Sequence, residues 1–157
     1  MEYQYQKRTE EYVGTLFTIL NESWFGGILD SPIINIISSS RVYAHYRRCE
    51  YVCVGTDKIL SIPEINISSG AVDGTFENLI VLLLHEMVHM YNDTVRNVQD
   101  VSRKNTYHNK LFAETCMTHG LDCQKTKCCG WSHTIANDTL TNWIQKNRCF
   151  ESNNNWS

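Results

Sequence analysis

The segment from Thr75 to Asn92, TFENLIVLLLHEMVHMYN, constrains this chain more than any other. The Thr75 hydroxyl can cap the free amides of a first helical turn, and the pattern predicts a helix from there to about Asn92. Apolar residues occupy nearly every face, which puts the helix in a core rather than on a surface. His85, Glu86 and His89 are then polar groups that an interior position must satisfy or use. Four residues advance a helix by about 400°, so His85 and His89 project from one face, one turn apart, with Glu86 offset to the side.

Two imidazoles so spaced can meet one ion at about 2.0–2.1 Å. The offset keeps the Glu86 carboxylate off the ion but within reach of a water beside it, from which it can take a proton as general base. The alternative is a pair of histidines hydrogen-bonded within the core. A catalytic zinc needs a third protein ligand and an open fourth position, and His108, Glu114, His119 and His133 are the downstream candidates. A metzincin would need glycine at 92 and histidine at 95, where this chain has Asn92 and Val95, so that class is excluded. A gluzincin-like reading would use Glu114. His108 and His119 would lie roughly 16 Å apart on one helix, so only one can serve, and His108, at the helix start beside a polar loop, is preferred.

Upstream, an apolar stripe at Tyr12, Val13, Leu16, Phe17, Ile19 and Leu20 predicts a helix over Thr9 to Trp24, stopped by Gly26-Gly27. Short β-branched runs follow at Pro32 to Ile37, Arg41 to Tyr46, Tyr51 to Val54 and Ile59 to Ile67, suggesting three or four strands. Pro63 cannot donate to a ladder, which marks the last run as an edge strand or two short pieces. Further helices are expected over His108 to His119 and Asn137 to Asn147. The expected class is α+β, a small mixed sheet packed against an N-terminal helix and the buried HEMVH helix.

The chain has 157 residues, of which 42% are hydrophobic, enough for one folded domain over 1–150 with a frayed polar tail at 151–157. Its longest apolar run, Leu79 to Leu84, is far short of the roughly 20 residues that cross a bilayer. The polar start MEYQYQKRTEEY lacks the apolar stretch of a signal peptide, so a cytoplasmic protein without a membrane partner is expected. Seven cysteines in a reducing compartment read as free thiols. Their spacing, Cys49-x3-Cys53 and Cys123-x4-Cys128-Cys129 with Cys116 and Cys149 alone, suits no regular zinc module. The net charge of -3 conceals an uneven distribution: residues 1–95 hold six Lys/Arg against twelve Asp/Glu, and residues 96–127 hold six against three. That basic segment is either a solvated face or a contact for nucleic acid or an acidic partner.

The blocks LLLHEMVHMYND, DVSRKNTYHNKLFAE and NESWFGGILDSPIINI resemble the SprT-like zinc metalloprotease domain, the family that includes Spartan, in order over roughly residues 10 to 122. The resemblance implies a minimal zincin-like fold, Zn2+ held by His85, His89 and His108, and Glu86 as the catalytic carboxylate. It implies hydrolysis of peptide bonds in a protein substrate by a zinc-activated water, with DNA as a further partner. Spartan-type proteins carry DNA-binding and partner-binding elements outside the protease domain, and this length has no room for them. Tyr107, His45 and Tyr91 are candidate donors to a developing oxyanion, and Asp100 is either a partner to a ligand histidine or a loop cap. Competing readings are a zinc-stabilised module that binds DNA or protein without catalysis, and a zinc amidase acting on a non-protein substrate.

Overall fold

In the computed structural model, which describes residues 1–40 and 43–151, the chain opens with helix α1 (Glu2–Trp24). Its apolar stripe pointed to a start at Thr9, and Thr9 is where burial begins, with Val13, Leu16, Phe17 and Leu20 facing the core. The earlier turns stand in solvent, held by a Gln6 to Glu10 hydrogen bond of 3.0 Å and by the Tyr5 hydroxyl, which donates to Asp73 at 3.1 Å. The stripe therefore marks packing, not the full helix. Gly26 and Gly27, at φ of 65° and 73°, take the left-handed conformation that ends it.

Strands β1 (Ile33–Ile37), β2 (Ala44–Val52) and β3 (Ile59–Ser68) form a mixed sheet in the order β1-β3-β2. Two expectations change here. The runs at Arg41 to Tyr46 and Tyr51 to Val54, of which Arg41 and Val42 lie outside the described residues, are joined into one strand that holds Ala44 to Tyr46 of the first and Tyr51 and Val52 of the second. The polar residues between them stay extended because Arg47 pairs with Glu64 at 2.7 Å and Arg48 with Asp93 at 2.8 Å. The run containing Pro63 is the central strand and is continuous. Pro63 is tolerated because β1 joins β3 only from Glu64 onward, so the first half of β3 has β2 on one side and no strand on the other.

After the short α2 (Ser69–Val72), helix α3 (Phe76–Thr94) runs as expected, its Thr75 hydroxyl accepting from the Asn78 N–H at 3.2 Å. Leu79, Ile80, Leu83, Leu84, Met87, Val88 and Met90 are buried on α3 among Ile65 and Ile67 of β3, Leu16 and Leu20 of α1, and residues further on. Each such side chain contributes about 1.5–3 kcal/mol of burial, so α3 cannot shift without large losses.

The second half holds β4 (Val101–Ser102), β5 (Tyr107–His108), α4 (Lys110–Thr118), β6 (Leu121–Thr126), β7 (Gly130–Ala136) and α5 (Asp138–Lys146). Asn109 and Asn137 cap α4 and α5 by accepting the N–H groups of Phe112 and Leu140. The strands form a second mixed sheet in the order β4-β5-β7-β6, so the α+β domain contains two small sheets where one was expected. The helix expected to begin at His108 begins at Lys110, and His108 belongs to β5. Helix α3 touches strands of both sheets. Among the described residues no helix is long and apolar enough to cross a membrane.

Candidate metal centre

The rigid α3 presents His85 and His89 from one face, and β5 brings His108 to meet them. His85 Nε2 and His89 Nε2 lie 3.2 and 3.1 Å from His108 Nε2. Ligand atoms about 2.0–2.1 Å from a tetrahedral ion stand roughly 3.3 Å apart, so the spacing suits a single ion. The three rings rest on Phe112 of α4, fully buried, with ring centroids at 4.7, 4.4 and 4.7 Å from His85, His89 and His108. This apolar floor fixes the rings by contact.

The opposite ring nitrogens decide which atoms are available. Asp100 Oδ2 accepts from His89 Nδ1 at 2.9 Å, which puts the hydrogen on Nδ1 and the lone pair on Nε2. His85 Nδ1 lies 3.1 Å from Thr134 Oγ1 of β7. His108 Nδ1 is buried without a well-formed hydrogen bond, near backbone of Cys129 and Thr106 that favours a proton on the ring. Burial, then the charge of His89, holds His108 down at about 4, while burial, then the charges of His89 and His108, holds His85 well below its ordinary value. At neutral pH these two rings are uncharged, and the three converging Nε2 atoms form a set that could hold a metal ion.

The set opens on a cleft of about 950 Å³ bounded by β2, by α3 and by the segment leading to His108. Glu86 also lines it, is 4% exposed, and lies near the backbone N–H of Tyr46. Burial raises the Glu86 pKa above the ordinary carboxylate value, with the charge of His89 and the Tyr46 N–H opposing. A raised value improves a carboxylate as a proton acceptor.

Of the alternatives for a third ligand, Glu114 is exposed on α4, 3.6 Å from Lys110, and lines a separate small cavity with Tyr91 and His119. His119 stacks on Phe25 at 4.3 Å and directs Nδ1 to the Thr115 carbonyl at 2.7 Å, and His133 is exposed on β7. Among the candidate oxyanion donors, His45 lines the cleft. Tyr91 lines the other cavity, and Tyr107 lies beneath the Arg103 guanidinium at 4.3 Å. The Asp100 carboxylate meets His89, one of the candidate ligands, and Asn92.

Sequence reasoning did not find Thr134, Phe112 or the Tyr46 N–H. The inward residues of β7, Ser132, Thr134 and Ala136, are small, so that strand has no apolar alternation to read. The cysteines are free thiols, and the one described cluster suited to a metal contains none of them. The basic segment is partly engaged within the fold: Arg96 bonds Asn92 and Thr115, and Lys125 stands over Trp131. Comparison with protein-family models, curated proteins and solved structures finds no match to this chain.

Proposed function

We propose that this chain is a SprT-like zinc metallopeptidase. The observation that carries the reading is the convergence of three imidazole nitrogens in an open cleft with a buried glutamate beside them. A purely structural zinc is closed by four protein ligands, whereas three ligands facing solvent leave a position for water and substrate. Zn2+ held by His85, His89 and His108 would supply Lewis acidity to a water and to the scissile carbonyl. Glu86, with its raised pKa, accepts the proton of the attacking water and delivers it to the leaving amine. Phe112, Asp100 and Thr134 hold the three rings in place.

The edge of β2 supports a peptide as substrate. The Tyr43 carbonyl accepts from Ser68 of the β3 side at 2.8 Å, so by alternation Tyr43, His45 and Arg47 direct backbone groups to β3. Ala44, Tyr46 and Arg48 direct theirs outward along the cleft, where the Tyr46 N–H lies near Glu86. An extended substrate added at this edge would run past Glu86 and the three histidines.

The test compares wild type with Glu86→Gln for zinc content and for cleavage of unfolded casein, with and without DNA. Wild type should cut, and Glu86→Gln should keep its zinc while losing at least about 10²-fold in rate. Zinc retained by both with casein uncut under every condition rejects the peptidase. Hydrolysis confined to small amides would point to an amidase.

A further inference from the structure

The metal-binding face of α3 has a third polar member. Asn92 follows His85 by seven residues, about 700° of rotation, so it stands in line with His85 and His89. It is fully buried. Its Oδ1 accepts from Arg96 Nη1 at 3.1 Å and from the Thr115 hydroxyl at 3.0 Å, and its Nδ2 donates to Asp100 Oδ2 at 2.9 Å. A guanidinium only donates and a carboxylate only accepts, so the amide has one workable orientation. The oxygen it reaches, Asp100 Oδ2, is the one that accepts from His89 Nδ1.

We infer that Asn92 is a positioning residue for the metal site, acting through Asp100 on His89. The inference rests on the reading of His85, His89 and His108 as ligands. Asp100 lies on the connection between α3 and β4, and a carboxylate there with one partner is free to turn about its side-chain bonds. The Asn92 amide gives the same oxygen a second donor from the helix that carries His89. Thr115 of α4 and Arg96 hold that amide in turn, so ligand orientation depends on groups remote from the ion. Arg96 is exposed, and the line ends at the cavity of about 250 Å³ that it shares with Thr115 and His119.

The competing account is that Asn92 only ties α3 to α4. Zinc affinity of the folded, metal-free full chain, measured by competition with a chelating dye, separates the two. The variants are Asn92→Leu, Asp100→Ala and the double replacement. A residue acting through Asp100 should weaken zinc binding by about tenfold when replaced, and Asp100→Ala by about 10–100-fold. The double variant should bind no more weakly than Asp100→Ala alone. Unchanged zinc affinity in Asn92→Leu, or losses that add in the double variant, overturns the inference. If Asn92→Leu does not fold, Thr115→Val removes one donor to the amide and enters the same cycle, where a severalfold weaker affinity is expected and an unchanged one overturns the inference. A wild-type chain that takes up no zinc rejects the metal site itself, whereas tight binding by wild type and by Asn92→Leu alike rejects only the role of Asn92.

Discussion

Gly130 fixes the position of His108, and Gly130→Ala tests how firmly. Gly130 opens β7 at φ 65° and pairs with His108 of β5. A Cβ there would collide with the His108 carbonyl oxygen and come within 2.9 Å of the Tyr107 ring. A carbonyl in a strand cannot swing aside, so β5 and β7 must separate by about 1 Å to restore ordinary contact. A left-handed alanine costs about 1–2 kcal/mol. The hydrogen bond from the His108 N–H to the Cys129 carbonyl, 3.0 Å long, would be stretched as well, at about 1 kcal/mol. The expected loss is therefore about 2–3 kcal/mol by urea unfolding of the metal-free protein. Gly26, also at φ 65° with no atom within 4 Å of an added Cβ, supplies the control, because Gly26→Ala carries the backbone penalty alone. On the proposed function, His108 displaced by about 1 Å should also lower peptide cleavage by about 10²-fold in Gly130→Ala and leave Gly26→Ala near wild type. Equal stability losses with equal activity in the two variants would refute the claim that this close approach places His108.

Glu114→Ala should leave zinc affinity within about twofold of wild type in a chelator competition, since its carboxylate is exposed and its neighbour is Lys110. A large drop would restore it as a ligand. Glu64 is 3% exposed, and the Cys49 thiol, with Asn66 and Arg47, holds its carboxyl down at about 2 from 4.5. A depressed carboxylate contributes stability that is present above its unfolded value and is lost as pH falls from about 4.5 towards 2. Urea midpoints over that window should fall more steeply for wild type than for Glu64→Gln, and parallel slopes would contradict the assignment.

The helices were legible where capping chemistry and burial agreed. Thr75 and Asn137 stand at helix starts as expected, and the spacing of His85 and His89 needed only the rise and turn of a helix. His108 was legible as a residue but not as part of a strand. The two-residue β5 is defined by a parallel contact with Gly130, far along the chain, which no local pattern encodes. The turn before it takes left-handed values at Arg103, Lys104 and Asn105, of which Asn105 alone belongs to a residue type that favours such a conformation. Pro63 misled because its missing N–H was read as a property of the whole strand, whereas the sheet is three strands wide over only part of β3. Arg47 and Arg48 misled for the opposite reason, since charges that resemble a turn are neutralised by Glu64 and Asp93.

His89, in the last turns of α3, and His108, on β5, bracket the segment that joins the two elements. The chain there is secured by the Val98 N–H to the Asn92 carbonyl and, from just past His108, by the Asn109 N–H to the Asp100 carbonyl and the Asn109 side chain to the Gln99 carbonyl, at 2.9–3.0 Å. An ion shared by the two histidines would act as a reversible cross-link that closes this segment into a loop. Its contribution then depends on supply: metal at 100 times its dissociation constant adds about 2.7 kcal/mol to the closed state, and scarcity withdraws it. Opening of this loop, and exposure of its backbone to proteolysis, would then gauge metal occupancy, and the segment that borders the cleft would tie the chain's own lifetime to the metal around it.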